Sequence, residues 1–125
     1  AKGTVERMHA GSCALVGNSG HLLQTKYGAS IDAHDVVVRM NAAPTIGYEE
    51  HVGRRTNIRV INNPLAKIFA QSVLEWPMKT IHQVLEPGCD LWMRASDAYT
   101  DRLRASLRKR SDQRPVVKME WELTY

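Results

Sequence analysis

The chain has 125 residues, enough for one domain, and 43% of them are hydrophobic, so a core can form and disorder is excluded. Its net charge of +4, from 17 Lys and Arg against 13 Asp and Glu, suits an anionic partner: a nucleic acid, a membrane surface or a nucleotide-sugar. No nucleic-acid-binding motif is present, and no apolar run approaches the ~18–20 residues that cross a bilayer.

Residues 1–12 are polar and basic and read as an irregular lead-in. Cys13-Ala14-Leu15-Val16 is a short apolar strand that breaks at Gly17-Asn18-Ser19-Gly20, where two glycines permit a tight turn. That turn is neither GxGxxG nor a Walker loop. Leu22 and Leu23 belong to a short helix or loop that ends at Tyr27-Gly28. Val36-Val37-Val38 is β-branched without alternation, as in a strand covered on both faces. A strand–turn–helix unit of this kind brings backbone N–H groups to the C-terminal edge of a sheet, where phosphates bind. Arg39 interrupts the second strand and is expected to form a buried ion pair with Asp35 or Glu49.

Asn57–Ile61 is a third strand. Asn63 is expected to cap a helix with Pro64 at its first position. Leu65, Ile68, Phe69, Ser72, Val73 and Trp76 line its buried face, and Pro77 stops it. Ile81–Leu85 reads as a strand closed by Pro87-Gly88. Asp90 is expected to cap a long helix running to about Arg108, with Trp92, Ala95, Tyr99, Leu103 and Leu107 inward. The basic cluster Arg102, Arg104, Arg108, Lys109 and Arg110 is its solvated end, favourable to the helix dipole. Ser111–Pro115 is a loop. Val117, Met119, Trp121, Leu123 and Tyr125 then alternate with Lys118, Glu120, Glu122 and Thr124, a strand with one wet face. The order predicts an α/β layered fold with a largely parallel sheet flanked by helices.

Several residues carry chemistry in two readings. Asn18 supplies two donors and an acceptor suited to phosphate or ribose, or simply tolerates a turn. Ser19 could reach the same nucleotide or cap the turn. Gly20 permits close backbone approach, or serves the turn alone. Asn41 stands where the second strand ends, at the edge where α/β sites lie, or only terminates it. Cys13 and Cys89 allow one internal pairing, without CxxC or metal-ligand spacing. Of the five histidines, His9, His21, His51 and His82 have no carboxylate pattern nearby, and His34 reads as a backbone-positioning residue.

The longer pattern is specific. Cys13 to Gly20, Tyr27-Gly28, Ile31-Asp32, His34-Asp35, Arg39-Met40-Asn41, Ala43-Pro44-Thr45, Gly47-Tyr48-Glu49 and Val52 to Thr56 together resemble the large sialyl motif of eukaryotic-type sialyltransferases. The match runs from Cys13 to about Asn62. It departs at His21, where many members carry Asn. It departs again at Ile61-Asn62-Asn63, where α2,3-type members show a Tyr-Pro pair; the Ile58–Asn62 run looks more like the α2,6 type. The resemblance implies a variant glycosyltransferase-A fold, of which residues 13–125 would be the N-terminal, donor-binding half of a catalytic domain and 1–12 a stem remnant. It implies inverting transfer from CMP-sialic acid to a hydroxyl of a glycoprotein or glycolipid glycan. Asn18 and Asn41 match donor-binding asparagines of the motif, with Ser19 and Gly20 beside them, and Asn62 could touch donor or acceptor.

The family needs no metal, and Asp32-Ala33-His34-Asp35 is not the cation-holding Asp-x-Asp of related folds. Its catalytic His lies beyond the small sialyl motif, which is not present here. Its Cys at position 13 is disulfide-bonded to a Cys in that later motif. The 125 residues alone are therefore expected to be inactive, poorly soluble or oligomeric, and the full-length form a type II membrane protein of the Golgi lumen. Alternative readings are a non-catalytic nucleotide-binding α/β module or an inactive truncated gene product.

Overall fold

The computed structural model describes residues 11–17 and 20–119. Five strands form one sheet, β1 (Cys13–Val16), β2 (Val36–Met40), β3 (Ile58–Asn62), β4 (Asp90–Arg94) and β5 (Val116–Lys118). They lie side by side in chain order and every neighbouring pair is parallel. The helices are α1 (Gly28–Asp32), α2 (Glu49–Val52), α3 (Asn63–Ser72), α4 (Met78–Val84) and α5 (Asp97–Lys109), with a 3₁₀ turn at Gly20–Gln24. This is the parallel α/β sheet flanked by helices that the sequence predicts.

Sequential strand order has a consequence. Parallel crossovers are right-handed, so connections that always step in the same direction leave their helices on one face. The register confirms it: Val16, Arg39, Arg59, Leu91 and Val116 are aligned across the sheet on one side. On that side Ile61, Leu91, Met93 and Val116 pack with Phe69 and Val73 at α3, Ile81 and Leu85 at α4, and Leu103 and Leu107 of α5. Phe69 meets Trp76 edge-to-face, with ring centroids 5.7 Å apart. On the other side Val36, Val38, Ile58 and Val60 form a second buried cluster with Met40, Trp92 and Met119, to which no described helix contributes. Val36 to Val38 are thus buried on both faces, as their unbroken β-branched run predicts.

Four elements differ from the sequence reading. Ile81–Leu85 is not a strand but falls within α4 and its C-cap; Ile81 and Leu85 stand one helical turn apart and are both buried. Asp90–Arg94 is not a helix start but β4, and the helix begins at Asp97, where the Ser96 hydroxyl accepts from the Tyr99 N–H. Trp92 therefore faces the second cluster, while Tyr99, Leu103 and Leu107 keep their inward positions. The cap of α3 is Asn62, not Asn63, and α3 ends at Ser72, before Pro77, which instead opens α4. Ile68, expected inside, is 49% exposed. In β5 the buried residue is Val116, and Val117 stands exposed on the other face; Trp121, Leu123 and Tyr125 lie outside the described residues.

Candidate functional site

The C-terminal ends of the strands share one edge of a parallel sheet, and side chains lace that edge together. The Asn41 Oδ1 accepts from the Asn62 N–H at 2.9 Å, linking β2 to β3. The Asn63 Oδ1 accepts from the Ser96 N–H at 3.0 Å, linking β3 to the loop after β4. Asn62 also caps α3 by accepting from the Leu65 N–H at 3.1 Å. These bonds hold the edge rigid where a ligand would meet it.

Beside β1 and β2 a cavity of about 340 Å³ opens, within the range of small-molecule sites. Its wall includes Val16 and Gly17 at the end of β1, Gly20, Ala43 and Pro44 after β2, and Tyr48 before α2. A Cβ at Gly17 or Gly20 would meet no atom within 4 Å, so backbone at both is open to close approach. Gly20 therefore stands in the cavity wall. Asn18 and Ser19 lie outside the described residues. Asn41 is not in the wall but sits between Arg39 and Ala43, which are.

Asn41 is held tightly. Its φ is 50°, a conformation non-glycine residues seldom adopt. Its N–H donates to the Val60 carbonyl at 2.7 Å, and its own carbonyl accepts from Arg59 Nη1 at 2.6 Å. With Oδ1 accepting from Asn62, its side-chain amide offers two N–H donors to another partner.

Arg39 lines the same cavity, and the expected ion pair is not formed. The side chain is 2% exposed. Its Nε donates to the Arg55 carbonyl and the Thr56 hydroxyl, Nη1 to the Val52 carbonyl at 2.8 Å and Nη2 to the Arg55 carbonyl at 2.7 Å. Asp35 instead accepts from the Ser12 N–H, and Glu49 from the Gly47 N–H, which holds the Glu49 carboxyl below its usual range. Burial, and then the charge of Arg59, pull the Arg39 guanidinium below its ordinary value. A buried cation without a carboxylate partner among the described residues thus stands in the cavity wall.

Asp32 accepts from the backbone N–H groups of Arg54 and Arg55, and Arg55 in turn donates to the carbonyls of Asp32, His34 and Asp35. This clasp folds the segment Arg54–Arg55 against α1. His34 Nδ1 bonds the Ser30 carbonyl at 2.8 Å, the backbone-positioning role expected of it. His51 Nδ1 bonds the Thr25 carbonyl at 2.6 Å, tying α2 to the 3₁₀ turn. No histidine lines the cavity among the described residues. Arg59, buried in β3, is not among the residues that motif and spacing mark. The same signal that marks Arg39, a cation inside an apolar strand, marks it too.

Cys13 and Cys89 are both free thiols, Cys13 exposed and Cys89 buried. Burial pushes the Cys89 thiol up to about 11 despite the Arg114 guanidinium 3.3 Å from its sulfur. At pH 8 only about one Cys89 thiol in a thousand is ionised, and the thiolate is the reactive form. Brief iodoacetamide treatment of the native protein is therefore expected to add one label, at Cys13, and a second only after unfolding. Equal native labelling of both, read by mass spectrometry, would contradict the burial of Cys89.

The chain is similar to known proteins along most of its length. The family described as glycosyltransferase family 29 (sialyltransferase) matches residues 2–121. A CMP-N-acetylneuraminate-beta-galactosamide-alpha-2,3-sialyltransferase 1 from Gallus gallus is 49% identical over 71 residues, 55% of this chain and 21% of the relative. A beta-galactoside alpha-2,6-sialyltransferase 2 from Takifugu rubripes is 54% identical over 54 residues, 43% of this chain and 10% of the relative. The crystal structure of a mammalian sialyltransferase superposes with a TM-score of 0.54 and 26% identity, covering 86% of this chain and 35% of that one. The chain thus spans about a tenth to a fifth of the length of these two curated relatives.

Proposed function

Because the chain belongs to glycosyltransferase family 29, the sialyltransferases, we propose that it forms the donor side of an inverting sialyl transfer from CMP-sialic acid to a glycan hydroxyl. The observation that carries this reading is the cavity at the strand C-termini, walled by the open backbone of Gly17 and Gly20 and by buried Arg39. In this reading the nucleotide sits along the turn after β1, contacted by Asn18 and Ser19, with backbone approach at Gly20. The side-chain N–H groups of Asn41 donate to it from the end of β2. The acceptor oxygen bonds the anomeric carbon as the bond from that carbon to the phosphate oxygen breaks, and CMP leaves with the electron pair. The fixed charge of Arg39 and the N–H donors at the edge favour the anion that develops there, without a metal.

The acceptor hydroxyl also needs a base, worth roughly 10²–10⁴ in rate. The 125 residues alone are proposed to bind donor without completing transfer, because the resemblance places the family's catalytic His beyond the small sialyl motif. The complete protein would act on glycoprotein or glycolipid glycans in the Golgi lumen, held by an N-terminal membrane anchor, with Cys13 paired to a cysteine of the small sialyl motif. Family membership supports these last points.

Calorimetric titration with CMP tests the reading. Saturable binding is expected for the chain, weakened by Asn18→Ala and by Asn41→Ala. A hydrogen bond to a charged group is worth about 1.5–3 kcal/mol, so each loss is roughly tenfold or more. No binding, or binding unchanged in both variants, refutes the donor site.

A further inference from the structure

We propose that buried Arg59 and half-buried Glu86 form a positioning pair that sets the Asn41–Ala43 turn beside the donor cavity. The proposal rests on the donor reading above for its ligand, though not for its geometry. Arg59 is the second residue of β3, aligned with Arg39, and is completely buried. Its Nη1 donates to two carbonyls of one turn, Asn41 at 2.6 Å and Ala43 at 3.0 Å. Its Nη2 donates to Glu86 Oε1 at 2.5 Å. Two carbonyls gripped by one planar guanidinium fix the turn in direction as well as distance. Asn41 keeps its left-handed φ of 50° within that grip, and Ala43 forms part of the cavity wall.

Glu86 is itself anchored. It lies in the loop between α4 and β4, where Arg114 donates to the carbonyls of Leu85 and Glu86 at 3.2 and 3.0 Å. Arg114 is held in turn by Asp112 at 2.7 Å. A chain of charged groups thus runs beneath the helices from the start of β5 to the cavity rim. The pair is not built for stability. Arg59 Nε and Glu86 Oε2 are buried without hydrogen-bond partners among the described residues, and a buried ion pair seldom outperforms an apolar pair of similar volume. What the pair does provide is a fixed orientation for Asn41, whose free N–H donors depend on it.

The test compares Arg59→Lys and Glu86→Gln with Arg102→Ala, an exposed change on α5, in the 125-residue chain. Three quantities are read: the thermal melt, the Asn41 backbone and side-chain amide resonances, and CMP affinity. In both variants the Asn41 resonances are expected to move and CMP affinity to fall about tenfold, or ~1.4 kcal/mol. Arg102→Ala is expected to change neither. A lowered melting temperature with Asn41 resonances and CMP affinity unchanged would make the pair merely structural and overturn the proposal. Should Arg59→Lys fail to fold, the near-isosteric Glu86→Gln decides. If the unsubstituted chain binds no CMP, the donor reading has failed, and the Asn41 resonances alone decide the positioning: moved they support it, unmoved they overturn it.

Discussion

Replacing Gly28 with alanine is expected to lower the melting temperature by roughly 10 °C or more. Gly28 opens α1 and is buried where α1 crosses α2. An added Cβ would lie 2.0 Å from the Glu49 carbonyl oxygen and 2.8 Å from that of Glu50. Both are backbone atoms within a helix, so neither can rotate away. Relief requires α1 to withdraw from α2, and the contact is reciprocal. Gly53, at φ 81°, follows α2, and a Cβ there would stand 3.1 Å from the Gly28 carbonyl and 2.5 Å from Asp32 Oδ1. Withdrawal therefore disturbs the clasp of Asp32 on the Arg54 and Arg55 N–H groups as well. Overpacking that flexible side chains can absorb costs about 1–3 kcal/mol, and a rigid backbone clash belongs at or above the top of that range. Circular dichroism melts check this; a loss below about 1 kcal/mol would mean the two helices are not in such contact.

Arg39→Met is expected to destabilise the protein by about 3 kcal/mol and to remove the charge from the cavity wall. The substitution keeps much of the apolar stem but removes every donor. The Val52 and Arg55 carbonyls and the Thr56 hydroxyl lose their Arg39 partner. A buried acceptor without a partner costs about 1–3 kcal/mol. The sum is reduced because a buried guanidinium no longer has to be desolvated. Arg39→Lys keeps a charge but lacks the planar fork that reaches both carbonyls, so it is expected to recover only part of the loss. Urea unfolding measures both; an unchanged midpoint for Arg39→Met would show that these bonds contribute nothing net.

The three strands β1, β2 and β3 were legible because short apolar, β-branched runs bounded by Gly, Asn and Pro admit few alternatives. Between residues 78 and 94 the periodicity misled. Ile81, Val84 and Leu85 are spaced for a helix, but five residues are too few to separate that from a buried strand. In β4, Leu91, Trp92 and Met93 are all apolar because each face of the sheet meets a different core cluster, which hides the two-residue period. The assignment is made by hydrogen bonds to β3 and β5, which lie far away in sequence.

The site divides in the same way. The family and the parallel α/β class were written in local residue identity; Gly20 and Asn41 were marked only as candidates, a glycine after one strand and an asparagine at the end of the next. The partners of Arg39 and Arg59 were not. An ion pair can be guessed from nearby carboxylates, but these guanidiniums mostly hold backbone carbonyls, which every residue carries and no side-chain pattern marks. Sequence required only that two cations inside apolar strands be satisfied. Which carbonyls satisfy them depends on how α2 and the turn after β2 fold back over the sheet, and that is decided by tertiary packing alone.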